Sequence, residues 1–205
     1  MDRMVIPKND IIDSLRSNPD ACYAAKHSVE SNIGLQGIWQ CDQHRGGELI
    51  SGGYAEPPNT MVYEGVARML NIIFHDVSKA ASEIWYVHIF KNNVTPGTGN
   101  TSAVHMGAAG TYGICQDADY GTPATNAPLY TTATATSNTI TNSVAGKAEF
   151  TIADTITIYG ACLSTIQAKT GTSGYLIAGK KFTASRDVIA DDVLNIAYSI
   201  TVTTS

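Results

Sequence analysis

Charge is scarce in this sequence. Only 13 residues are Lys or Arg and 18 are Asp or Glu, so charged side chains make up 15% of the chain, against roughly 25% in ordinary soluble domains. The basic residues are scattered, the one adjacent pair is Lys180-Lys181, and the formal net charge is -5. A phosphate-binding surface needs a basic patch that releases counterions, so no nucleic-acid partner is expected. Long apolar runs are also missing. No stretch reaches the ~20 residues that a membrane-spanning helix requires, and no membrane partner is expected. The opening segment, MDRMVIPKNDIIDSLRSNPD, mixes charges of both signs without an apolar core, which does not read as a secretory signal.

Chemistry-bearing motifs are equally sparse. The four cysteines, Cys22, Cys41, Cys115 and Cys162, are far apart and form no C-x-x-C pair, so buried free thiols are expected rather than a disulfide framework. The five histidines, His27, His44, His75, His88 and His105, show no H-x-x-x-H spacing of a zinc site. There is no G-x-S-x-G elbow and no glycine-rich phosphate loop. Asp117 and Asp119 form a D-x-D in a loop, but the glycine and terminal Glu of a calcium loop are missing, leaving a solvated loop as the expectation and a weak cation site as the remote one. No catalytic residue, metal or cofactor is expected.

What is present is a strand-rich pattern. LQGIWQCDQHRGGELISGGYAEPP reads as two strands joined at His44-Arg45-Gly46-Gly47, where adjacent glycines suit a hairpin turn. A helix is predicted over about 60–74, with Thr60 as N-cap, Glu64 at its positive end, and Val62, Val66, Met69 and Ile73 along one face. Gly65 costs such a helix about 1 kcal/mol relative to Ala, which makes sense where another backbone packs closely. EIWYVHIF is predicted as a strand covered on both faces and central in its sheet. A glycine-rich loop region follows, from Lys91 to about Pro128; a loop of that length points to function or partner contact. From there to the C-terminus, strands recur every 8–12 residues between turn signals, as in a sandwich or barrel. Leu194, Ile196, Tyr198 and Ile200 alternate cleanly with more polar neighbours.

The expected fold class is therefore mainly β: an antiparallel β-sandwich, jelly-roll-like, with one main α-helix and an N-terminal arm. Residues 1–34 form the arm, with Ile11, Ile12 and Leu15 at helical spacing, and residues 35–205 form the sandwich domain. Neither amphipathic piece of the arm is long enough to be stable alone in water, so it must pack on its own domain or on a neighbour.

The order of IWQCDQHRGGELI, VYEGVARMLNIIF, WYVHIFKNNVTP, CQDADYGTPATNAPLYTTAT, KAEFTI, TIYGACLS, LIAGKKF and DDVLNIAYSIT resembles a family of small structural proteins of tailed bacteriophages with capsid cement or decoration roles. The resemblance runs from about residue 37 to the C-terminus. It implies a β-sandwich, made in the host cytoplasm, on the outer surface of the virion capsid. There it would bind the major capsid protein lattice, stabilise the expanded head and associate with itself as a dimer or trimer. Arm residues Met4, Val5, Ile6, Ile11, Ile12 and Leu15 would lie across a neighbour. The alternative is a tail-associated or fibre module binding a tail component or a host-surface glycan through the 91–128 loop, with Tyr112, Tyr120 and Tyr130 as contacts. A β-sandwich hydrolase using Asp117 or Asp119 is a third and weaker reading.

Overall fold

The computed structural model describes residues 33–75, 84–135, 137–143 and 146–204. Two antiparallel sheets face each other. One follows the order β2-β1-β10-β7-β5, with β6 also pairing β10, and the other β3-β9-β8-β4. The strands are β1 (Ile33–Arg45), β2 (Glu48–Ser51), β3 (Thr60–Met61), β4 (Tyr86–Phe90), β5 (Tyr120–Thr122), β6 (Thr139–Thr141), β7 (Ala148–Ile152), β8 (Ile156–Ser164), β9 (Leu176–Val188) and β10 (Val193–Thr204). Helix α1 spans Tyr63–Phe74 and the one-turn α2 spans Ser102–His105. The chain divides into the unit Leu35–Val202 and a second unit, Met1–Gly34 with Thr203–Ser205. The predicted arm residues Met4, Val5, Ile6, Ile11, Ile12 and Leu15 lie outside the described residues.

The expected antiparallel sandwich is the observed one. β1 lies beside β10, and β3 beside β9, while β8 and β9 are consecutive antiparallel neighbours in one sheet. The core between the sheets follows from the period-two alternation of the strands. Leu194, Ile196 and Tyr198 of β10 and Phe150 of β7 meet Val87 and Ile89 of β4 and Leu163 of β8. Trp39 stacks on Tyr198 with ring centroids 4.1 Å apart.

The four-stranded sheet is buried on its other face as well. Phe90, Cys162 and Leu176 join Val62, Met106, Tyr112 and Ile114 in a second core. This explains why every residue of β4 is buried. β4 is nevertheless at the edge of its sheet, not central as predicted. Its free edge is covered by the chain that follows: Lys91 N–H donates to the Gly113 carbonyl, Cys115 N–H to Ile89, Val87 N–H to Pro128 and Tyr130 N–H to Trp85. The long loop thus folds back on its own sheet and satisfies backbone groups that an edge leaves unpaired.

Helix α1 begins without the predicted Thr60 cap. Thr60 pairs with Gly179 in β3, and Val62 precedes the helix with no side-chain cap bond. The first donors find tertiary partners instead: Val62 N–H reaches Ile177 O and Tyr63 N–H reaches Thr98 O. Gly65 sits directly on β9, where a Cβ would lie 2.5 Å from Ile177 Cα. The close approach anticipated from a glycine inside a helix is real. Ile73, placed on the buried face by the sequence period, is 67% exposed; the helix meets the sheet at Val62 and Gly65, against Ile177, and Ile73 lies about two turns further on, where the helix ends.

Candidate interaction surfaces

The three tyrosines expected on the loop surface are interior. Tyr112 is 1% exposed, Tyr120 0% and Tyr130 8%. Tyr112 stacks on Phe90 and donates its hydroxyl to Asn100 Oδ1 at 2.8 Å. Tyr120 meets Phe150 edge-on, and Tyr130 donates to Tyr198 O at 2.9 Å. Burial pushes each phenol above its ordinary range. Large aromatic area is most useful where it is removed from water, so these rings build the cores, and any partner would meet the loop through other residues.

The aspartates of the D-x-D are each matched with a lysine. Asp119 accepts both carboxylate bonds from Lys91 Nζ at 2.8 Å and one from Gln116 N–H at 2.7 Å. Asp117 pairs at 2.9 Å with Lys169, a buried lysine that also donates to Tyr120 O and Ala124 O and lies 3.6 Å from the Tyr120 ring centroid. The cluster ties the loop to the segment after β8. No group of three or more His, Cys, Asp or Glu suited to a metal occurs among the described residues.

Of the other polar candidates, His88 and the described cysteines are turned inward, whereas His75 is exposed. His88 is 1% exposed, its Nε2 is 2.7 Å from Ile166 O, and burial lowers its pKa to about 4. His75 follows α1, with its N–H on Asn71 O. Cys41, Cys115 and Cys162 are free, buried thiols. Burial pushes Cys41 up to about 12, against the opposing pull of Arg186, and raises the other two as well. Cys22 lies outside the described residues. Among the described residues no helix is long and apolar enough to cross a membrane.

What the surface does offer is apolar. An open groove of about 630 Å³ runs along Ile84, Tyr86, Pro128, Leu129 and Ala148, with Lys147, Glu149 and Gln167 at its rim. The second feature is the β1–β2 hairpin. Gly46 and Gly47 turn it with φ of 58° and 86°, the paired positive values that a two-residue turn requires. Among the described residues β2 pairs only with β1 and forms the sheet edge. Its neighbours Leu49 and Ile50 project to opposite faces, yet they are 54% and 48% exposed, so the hairpin stands clear of the sandwich on both sides. It is firmly anchored all the same. Arg45 grips Asp192 through two bonds of 2.8 and 2.7 Å, and Gln43 Nε2 adds a third at 3.0 Å. The third feature is the outer side of α1, where Tyr63, Leu70, Ile73 and Phe74 are exposed.

The sequence pattern located the hairpin but gave no sign that its tip would be uncovered, because exposure depends on where the opposite sheet ends. A scan against protein-family models and a search of curated proteins both returned no match.

Proposed function

We propose that this chain is a non-enzymatic virion protein that cements or decorates a phage head, binding the major capsid protein lattice on its outer surface. The observation that supports the reading is the anchored edge strand β2. Among the described residues its outer side has no strand partner, and it presents Leu49 and Ile50 beside Glu48; an edge of this kind is a template for pairing with another chain. Such an edge suits strand addition by a partner, in which main-chain bonds give affinity and alternate side chains give specificity. The low charge of the chain works in the same direction, since little hydration is lost when such a surface docks. Binding the expanded lattice and not its precursor stabilises the expanded state by mass action. Because each contact is repeated over the shell, modest individual affinity is enough.

The test is co-sedimentation of the purified protein with expanded, undecorated heads. Wild type should pellet with the heads, and Ile50→Lys, which places a charge on the exposed edge without touching either core, should lower occupancy at least ~10-fold at subsaturating protein. Equal occupancy for the two would remove the hairpin from the interface.

A further inference from the structure

Helix α1 has its two charges turned toward its own domain. The Glu64 carboxylate accepts from Ser102 N–H at 2.8 Å and Leu176 N–H at 2.6 Å, and the Arg68 guanidinium lies over the Tyr175 ring at 5.0 Å. What remains outside is Tyr63 (69% exposed), Ala67, Leu70 (49%), Asn71, Ile73 (67%) and Phe74 (79%), with Tyr175 (41%) beside them. A surface helix ordinarily shows its polar face to water; on this one Asn71 is the one polar residue among those exposed.

We infer that this face is the twofold contact of a homodimer, α1 packing antiparallel on α1 of a second copy. Three observations select a second copy. First, positions 63, 67, 70 and 74 are spaced four, three and four, the spacing that lines one stripe against a facing helix. Placed antiparallel about a twofold between positions 67 and 70, the stripe is self-complementary: Ala67 falls opposite Leu70 of the other copy, small against large, and Tyr63 falls opposite Phe74, giving an aromatic pair at each end. Second, no residue of the helix on this side carries a charge, so two chains of net charge -5 meet here without like-charge repulsion. The antiparallel arrangement also sets opposite dipole ends side by side. Third, the exposed area of these residues is on the order of 600 Å² per copy, which doubles to about the smallest total of a specific, stable interface.

The dimer uses the helix on β9, while the β2 edge belongs to the other sheet, so each dimer carries two free hairpins. On the cement reading, on which this consequence rests, one dimer engages two lattice subunits and gains from the second attachment by effective concentration. That is how a small additive contact becomes a bridge.

Analytical ultracentrifugation of the full chain, without heads, tests the dimer separately from the cement role. At roughly 50 μM, enough to populate a dimer of micromolar affinity, wild type should sediment at twice the 21.7 kDa chain mass. Leu70→Glu should raise the dissociation constant at least ~100-fold while keeping the wild-type circular dichroism and urea midpoint, because Leu70 is half outside already. The pair Tyr63→Lys with Phe74→Glu sets opposite charges face to face across the twofold. It should dimerise better than either single variant, an outcome that a general loss of apolar surface does not produce. A monomeric wild type, or a dimer indifferent to Leu70→Glu, overturns the inference. A monomer that still pellets with heads would do so while leaving the cement reading in place, and a dimer that binds no heads would support the inference and remove the cement reading.

Discussion

Replacing Asp192 with Asn should weaken the fold by about 2–3 kcal/mol at neutral pH, and that loss should fade in acid. Asp192 is fully buried at the turn into β10. Its Oδ2 accepts from Arg45, Gln43 Nε2 and Ile189 N–H, and its Oδ1 accepts from Arg45 Nε. The Arg45 hydrogen bond is the largest cause holding the carboxyl well down, at about 2, with the Ile189 and Gln43 bonds adding to it against the cost of burial. The ordinary value is 3.8, and a depression of that size corresponds to about 2 kcal/mol. Arg45 is partly exposed and rehydrates when the carboxylate is lost, so the upper part of the range comes from an amide NH₂ turned toward donors that it cannot satisfy. Because the folded pKa lies below the unfolded one, the contribution is complete above about pH 4 and is lost as pH falls through 3.8 toward 2. Urea unfolding of wild type and Asp192→Asn at pH 7 and pH 3 gives the comparison. A difference under about 1 kcal/mol at pH 7, or one that does not shrink at pH 3, would refute the role given to this carboxylate. The same variant loosens the hairpin, so its binding to heads should fall as well.

Three further outcomes follow from the interior. Gly65→Ala should destabilise by about 1–2 kcal/mol in urea, since overpacking against the Ile177 backbone outweighs the helix-propensity gain of about 1 kcal/mol; a stabilised variant would mean that α1 and β9 are not in close contact. His88 is held neutral by burial, with its pKa lowered from 6.5 to about 4, so the unfolded chain takes up a proton first. Stability should therefore decline by about 3 kcal/mol as pH falls from 6.5 to 4, and His88→Leu should flatten that window, read from urea midpoints across pH. Cys41, Cys115 and Cys162 should resist a thiol reagent at pH 8 until the chain is unfolded, because their buried thiols stay protonated; labelling of any one of them in the native protein, located by peptide mass spectrometry, would contradict their placement.

Local patterns carried much of the fold. Alternation marked β10, the glycine pair marked the hairpin turn, and a glycine inside a helix signalled a close backbone contact. What stayed hidden depends on distant partners. Lys169 finds Tyr120 and Ala124 across more than 40 residues, and nothing near Asp117 in sequence announces it. Tyr112, Tyr120 and Tyr130 lie in a loop-like stretch whose composition suggested exposure, but the loop folds back over β4 and carries them inside. In α1 the sequence YEGVARMLNIIF is apolar around most of its circumference, so periodicity offers more than one face to the core. Only the contact with Ile177 decides between them, and that leaves the Tyr63–Phe74 stripe outside. The interaction surfaces therefore emerge only when the apolar positions used by the cores are subtracted from those the sequence contains.

The most direct test of the account is the number of copies bound per major capsid subunit when the purified protein is mixed with expanded, undecorated heads and pelleted. Binding should saturate at a fixed ratio, with none to unexpanded procapsids. Failure to bind expanded heads at any concentration would contradict the cement reading.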